Sequence, residues 1–172
     1  MKILYAALPT LLIAALTPAA AAPHPGHEPS TEKQIEIVRK STERFRDVRV
    51  ARRAGYEPAA ECVAGPDGGM GIHYANARLA ADPKLSIRKP EILVYEPRGE
   101  RRRLVAVEYF RPDADGRLDT DEDRPYLFGR GFDGPMEGHE PGMPVHYDLH
   151  AWVWKHNPAG TFAQYNPRVS CP

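Results

Sequence analysis

The twelve residues VHYDLHAWVWKH (residues 145–156) alternate strictly between two kinds of side chain. The odd-numbered positions up to 153 are apolar or aromatic: Val145, Tyr147, Leu149, Ala151 and Val153. The even-numbered positions carry imidazole, carboxylate and indole groups: His146, Asp148, His150, Trp152, Trp154 and His156. Because successive side chains of a β-strand point to opposite faces, this pattern predicts a strand with one core face and one face of potential ligands. We therefore expect the functional site on the second face.

A helical interpretation of the same stretch leads to a different function. In a helix, His146 and His150 would lie on one face with the spacing of the HExxH zinc motif, which would indicate a zinc hydrolase. The glutamate that should follow His146 is missing, however, and the valines and aromatic residues of the stretch favour a strand. The strand is the prediction that we retain.

The rest of the chain predicts a single α+β domain over residues 31–172. One long helix is expected over residues 31–54, with Ser30 as its N-cap and Gly55 after its end. Its apolar stripe should pack on Tyr147, Leu149 and Val153; the stripe includes Val38, Phe45 and Val48. Residues 91–96 and 103–111 are predicted as further strands of an antiparallel sheet of at least three strands. The glycine-rich residues 62–74 are predicted as loop, and residues 112–125 and 128–144 as two large loops over the sheet.

The N-terminus and the cysteines indicate an exported protein. Residues 1–22 have the layout of a secretory signal peptide, and residues 23–30 are expected to be a flexible tail. No stretch is long and apolar enough to predict a membrane span. The two cysteines, Cys62 and Cys171, should form a disulfide in the periplasm or outside the cell. The 23 basic and 23 acidic residues balance, which argues against a nucleic-acid surface.

Histidines and carboxylates in three places predict a transition-metal site. On a strand, His146 and Asp148, or Asp148 and His150, are roughly 6.6 Å apart and can share one ion. Further ligands are expected from His73 and His139 in the glycine-rich segments, and from Glu108, a carboxylate in an apolar strand. Such a set suits Zn, Cu, Fe or Mn, used either for binding alone or in catalysis. Three methionines in the glycine-rich segments would add a preference for copper if they converged: Met70, Met136 and Met143.

Three other interpretations remain open on the sequence alone. A metal-free domain could bind a small ligand such as a sugar in an aromatic pocket formed by Trp152, Trp154, Tyr74 and Tyr109. A metal-free enzyme could use His146 or His150, oriented by Asp148, as a general acid or base. The acidic residues 113–123 partly match a calcium loop, although a solvated turn explains them equally well.

Several segments resemble those of small exported bacterial proteins. The segments are GGMGIHY (68–74), VEYF (107–110), FDGPM (132–136), PGMPVHYDLHAW (141–152) and NPAG (157–160). The resemblance covers most of the chain after the signal peptide and implies export, but it implies no activity.

Overall fold

A curled six-stranded antiparallel sheet organises residues 29–172, the part of the chain that the computed structural model describes. Its strands follow the order β1-β2-β3-β4-β8-β7. Three short helices accompany it, so the predicted α+β class is confirmed. The predicted signal peptide (1–22) and residues 23–28 of the predicted tail lie outside the described residues.

The elements are as follows. The helices are α1 (Thr31–Thr42), α2 (Val48–Arg53) and α3 (Ala77–Ala80), with a 3-10 helix (Glu43–Arg46) between the first two. The strands of the main sheet are β1 (Glu57–Gly65), β2 (Gly68–Ala75), β3 (Ile92–Arg98), β4 (Arg101–Pro112), β7 (Asp133–Met136) and β8 (His146–Ala151). A separate small hairpin consists of β5 (Tyr126–Leu127) and β6 (Arg130–Gly131).

The N-terminal helical region is not one long helix, which corrects the prediction for residues 31–54. The α-helix stops at Thr42, and Asp47 has an extended backbone with φ −90° and ψ 108°. The Asp47 carboxylate accepts a hydrogen bond from the Arg49 amide at 2.9 Å and so caps α2 as a new helix. Aspartate competes in this way with helix-interior hydrogen bonding, and helical periodicity alone does not reveal it.

The predicted core packing between the helices and the last strand is confirmed. Val38 and Phe45 belong to the same buried cluster as Tyr147, Leu149 and Val153, and Val48 packs against that cluster. Trp154 departs from the predicted alternation because β8 ends at Ala151. Its indole Nε1 donates to Thr42 Oγ1 at 3.1 Å, which places Trp154 on the helix side of the sheet.

The glycine-rich residues 62–74 form sheet structure, so the loop prediction is wrong. They make up the end of β1 and most of β2, and β2 pairs with β1 on one side and β3 on the other. A Cβ atom at Gly71 would lie 2.7 Å from Tyr95 O, and one at Gly69 would lie 2.8 Å from Val169 O. The glycines are therefore required by the close approach of neighbouring backbone.

The predicted disulfide between Cys62 and Cys171 is present and joins β1 to the C-terminal segment. Paired backbone hydrogen bonds between Gly69 and Asn166 hold the same segment against β2. The predicted loop over residues 128–144 contains an edge strand, β7, in addition to loop. Among the described residues, no helix has the length and apolar character needed to cross a membrane.

Candidate metal centre

Strand register brings the central side chains of the site together on the face of the sheet opposite α1 and α2. Glu108 on β4 is paired with His150 on β8, and Phe110 is paired with Asp148. The predicted strand character of the HYDLH stretch is thus confirmed, and the helical zinc motif is excluded. His73 lies on β2, beyond the intervening β3, and its side chain reaches across to Glu108.

His73, Glu108 and His150 form the convergent group. His73 Nε2 is 3.1 Å and His150 Nε2 is 3.5 Å from Glu108 Oε2. One ligand atom from each of the three residues lies within 4.8 Å of the other two. Among residues 29–172, no other group of three or more histidine, cysteine or carboxylate side chains has its ligand atoms this close together.

The three side chains are buried, and their polar atoms are poorly satisfied. Glu108 is 3% exposed, His150 1% and His73 9%. Glu108 Oε2 and both ring nitrogens of His150 have no hydrogen-bond partner among the described residues by strict geometry, and the contacts of Glu108 Oε2 with the two imidazoles are ion-pair contacts. A buried polar atom without a partner destabilises a fold by roughly 1–3 kcal/mol. Such a cluster needs an explanation, and a shared ion would bind Glu108 Oε2 together with one ring nitrogen of each histidine.

The charges of His150 and Glu108 depend on each other and on burial. Burial lowers the pKa of His150 below its usual value, although Glu108 opposes this effect. Burial alone would raise the pKa of Glu108, but the positive charge of the neighbouring His150 and His73 in their protonated forms outweighs it and lowers that pKa to about 2. A bound cation would replace the imidazolium protons as the positive charge that keeps Glu108 ionised. A neutral imidazole and an ionised carboxylate are the forms that bind metal ions.

Asp148 and His146 lie beside this group. Asp148 Oδ1 is 3.8 Å from His150 Nδ1, and Asp148 Oδ2 is 3.9 Å from His146 Nε2. Burial, followed by the nearby Glu108 and Asp133, raises the pKa of Asp148 well above its usual value. Burial lowers the pKa of His146, whose Nδ1 lies 3.1 Å from the Pro144 carbonyl oxygen. Asp148 is thus a neighbour of the convergent group on the same strand face.

His139 takes a different position from the one expected. It is solvent-exposed in the segment before β8, and its ring centroid lies 5.2 Å from that of His146. Together with Glu140, it lines the cavity in front of the site. Of the six predicted ligands, the structure therefore brings together His73, Glu108 and His150, places Asp148 and His146 next to them, and leaves His139 exposed.

A cavity of about 420 Å³ opens in front of His73, Glu108 and His150. Its wall is mostly apolar and includes side chains from β1, β2, β3 and β4. Four alanines contribute to it: Ala59, Ala60, Ala75 and Ala80. The sequence analysis did not single them out, because an alanine carries no signal that distinguishes a cavity wall from ordinary packing.

The four aromatic residues predicted to wall a pocket are not around this cavity. Tyr74 and Tyr109 are buried in the core cluster on the helix side of the sheet. Trp152 is buried in a second core cluster, and its Nε1 donates to Ala163 O at 2.6 Å. Trp152 and Trp154 both border a separate groove next to α1. The aromatic residues thus contribute to packing and to that groove.

The acidic residues 113–123 are organised as a turn. Asp113 Oδ1 accepts hydrogen bonds from the amides of Asp115, Gly116 and Arg117. Asp115 accepts from the hydroxyl of Thr120 at 2.9 Å. These contacts are those of an Asx-type turn. The methionines do not gather at the ligands as a set: Met70 and Met143 line the cavity, while Met136 pairs with His146 at the sheet edge.

Comparison with protein-family models, with curated proteins and with solved structures found no match. The chemistry of the site must therefore be argued from its own residues. Two imidazoles and one carboxylate on a cavity wall are a ligand set of catalytic zinc sites and of non-haem iron sites, both of which leave coordination positions open.

Proposed function

We propose that this chain is an exported protein that binds one divalent transition-metal ion through His73, Glu108 and His150. The observation that carries the proposal is the convergence of three buried ligand atoms within 4.8 Å of one another, with Glu108 Oε2 and the His150 nitrogens unsatisfied. Zn, Cu, Fe and Mn all accept two nitrogen ligands and one carboxylate oxygen.

The surroundings of the three ligands favour a working site over a purely structural one. Structural zinc sites are closed by four protein ligands, whereas catalytic sites use three and keep a position for water or substrate. Here the convergent group has three members and borders a cavity. We therefore propose further that the protein is a metal-dependent enzyme, in which the ion acts on a molecule held in the cavity.

Export is supported by the disulfide between Cys62 and Cys171, because disulfides persist in oxidising compartments. We propose further that residues 1–22 are a signal peptide and that the mature protein is periplasmic or secreted. The N-terminal sequence of the exported material tests this. Cleavage near residue 22 supports the claim, and an intact N-terminus in that material contradicts it.

Metal content is the direct test of the proposal. Elemental analysis of untagged protein from the periplasm should give about one transition-metal ion per chain, and the identity of the element follows from the same measurement. His73→Ala and His150→Ala each remove a ligand and should lower the metal content sharply. His156→Ala and His139→Ala remove exposed imidazoles and should retain it. Equal metal content in all four variants would contradict the assignment of the site.

A metal-free ligand-binding protein is the second candidate function. The observation in its favour is the apolar cavity itself, which has the size of a small-molecule pocket. It predicts that ligand binding and thermal stability are indifferent to a chelator. Chelator treatment of the wild type, with the melting temperature as readout, therefore separates the two candidates: a fall in melting temperature supports the metal site, because a bound ion stabilises the folded state.

A further inference from the structure

The cavity in front of the proposed metal ligands has the dimensions of a specific binding site. Its volume of about 420 Å³ lies within the range of small-molecule pockets, roughly 300–1,000 Å³. An occupant of this size is a compact molecule and not a polymer chain.

The wall of the cavity indicates the chemical character of most of the ligand. Val63, Met70, Ile92 and Phe110 present apolar surface, and the short side chains of the lining alanines leave the space open. Water gains few hydrogen bonds against such a wall, whereas a hydrocarbon body loses contact with water on entering it. The cavity therefore favours an apolar ligand body.

The buried polar groups of the wall form one contiguous cluster, and the other polar lining residues, Tyr165 among them, are half-buried or exposed. The cluster is built from Glu108 and His150, which are paired across β4 and β8, together with His73 and Asp148. The rim contributes His139 and Glu140, both solvent-exposed. An apolar ligand in the cavity thus meets polar partners at a single buried place, the proposed metal ligands.

Charge specifies the head group of the ligand. A divalent ion held by two neutral imidazoles and one carboxylate leaves a net charge of +1 in a buried environment. A single anionic oxygen donor neutralises that charge and fills an open coordination position, whereas an ammonium group would be repelled.

We infer that the cavity binds an apolar monocarboxylate, with its carboxylate on the ion held by His73, Glu108 and His150 and its hydrocarbon body against Val63, Met70, Ile92 and Phe110. This inference rests on the proposed metal site. The ligand class is defined by its chemistry: an alkyl or aryl body of moderate size that carries one carboxylate.

Calorimetric titration of the metal-loaded mature protein tests the inference with octanoate as the probe. Octanoate should bind, whereas acetate, which lacks the body, and octylamine, which carries the opposite charge, should bind at least about tenfold more weakly. Removal of the ion with a chelator should weaken octanoate binding by about tenfold or more, since the head group loses its partner. Equal affinity for octanoate and octylamine, or equal affinity with and without the ion, would overturn the inference.

A variant of the cavity wall separates this inference from the proposed function. Ala80→Phe places a ring in the cavity without altering a metal ligand, and Ala81→Phe places the same ring on the adjacent exposed position. Ala80→Phe should retain the metal and lose octanoate binding, while Ala81→Phe should retain both. Metal binding without octanoate binding in the wild type would overturn the inference and leave the proposed function standing. Absence of metal binding would overturn both.

Discussion

Glu108 is the residue on which the chemistry of the site depends. It is a carboxylate on the fifth of seven consecutive buried positions of β4, and the side chains nearest to its Oε2 are the imidazoles of His73 and His150. Burial would drive it to the neutral form, and positive charge on the two imidazoles lowers its pKa to about 2 instead. A residue in this position supplies negative charge to a buried centre, which is what a divalent cation requires.

Glu108 and Asp148 provide a matched pair of variants. Both are buried carboxylates on the same sheet face, but only Glu108 belongs to the convergent group. We predict that Glu108→Gln lowers metal affinity by about 100-fold or more, because a neutral amide is a poor ligand. Asp148→Asn, which removes a neighbour of the ligand His150, should lower it by roughly tenfold. Competition with a metal-responsive dye measures both affinities, and a larger loss for Asp148→Asn would contradict the ligand assignment.

Glu91 gives the folded protein a pH dependence that is separate from the metal site. It is 2% exposed, its Oε2 accepts from the Phe110 amide at 3.3 Å, and burial raises its pKa from 4.5 to about 7. Because the folded-state pKa is raised, the stabilisation is fully present below about pH 4.5 and is lost as the pH rises through 7. The loss amounts to about 3 kcal/mol.

Glu91→Gln should remove this dependence. We predict that its stability relative to the wild type increases by about 3 kcal/mol between about pH 4.5 and about pH 8.5, as judged by urea unfolding at each pH. The glutamine oxygen can still accept from the Phe110 amide, so the fold is preserved. A constant difference between the two proteins over this range would show that Glu91 ionises in the folded state as it does in the unfolded chain.

At the scale of elements, the helical region shows how one side chain can start a new helix. Ser30 precedes α1 and makes no side-chain capping hydrogen bond, whereas Asp47 caps α2 through the Arg49 amide. Asp47→Ala should therefore destabilise the protein by about 1 kcal/mol, and Ser30→Ala should change the free energy of unfolding by less than about 0.5 kcal/mol. Chemical denaturation of the two variants checks this, and equal effects would contradict the assignment of the cap.

Elements with a clear side-chain pattern were predictable, and those defined by backbone contacts were not. The alternation around His146, Asp148 and His150 predicts β8, and the helical stripe with Val38 and Phe45 predicts its packing partners. Strand β2 was missed because its glycines, which usually indicate loops, are required here by the close approach of β3 and the C-terminal segment. Helix α1 was extended too far because the helical stripe continues across the break at Asp47.

The residues of the proposed metal site were predictable as a list of candidates but not as a geometry. Spacing along one strand favours Asp148 as the residue that shares an ion with His146 or His150. In the structure, strand register places Glu108 directly opposite His150. His73 was expected to approach on a loop, but it lies on β2 and reaches across β3. Contacts between strands depend on sheet order and register, which one sequence does not specify.

At the scale of the whole molecule, the two faces of the sheet have different roles. One face packs on α1 and α2 through the main core cluster, and the other carries the proposed ligands and the cavity. The walls of the cavity come partly from β1, an edge strand, which the disulfide joins to the C-terminal segment. Integrity of the cavity thus depends on a covalent link between distant parts of the chain.

The disulfide should contribute strongly to stability. Its cysteines are 109 residues apart, and closing a loop of that length stabilises a fold by about 4–5 kcal/mol in the chain-entropy account. We predict that the double variant Cys62→Ala with Cys171→Ala loses roughly this amount in urea unfolding. Its unfolding slope with denaturant should rise, since an unlinked unfolded chain exposes more surface. A loss below about 1 kcal/mol would contradict a constraining role for the bond.

The position of the bound ion is the most direct test of the central claim. Crystals of the metal-loaded protein, measured at the absorption edge of the element that analysis identifies, should give one strong anomalous peak. The account predicts this peak about 2.0–2.2 Å from a ring nitrogen of His73, a carboxylate oxygen of Glu108 and a ring nitrogen of His150. A peak elsewhere, for example between His139 and His146, or no peak in metal-saturated crystals, would contradict it.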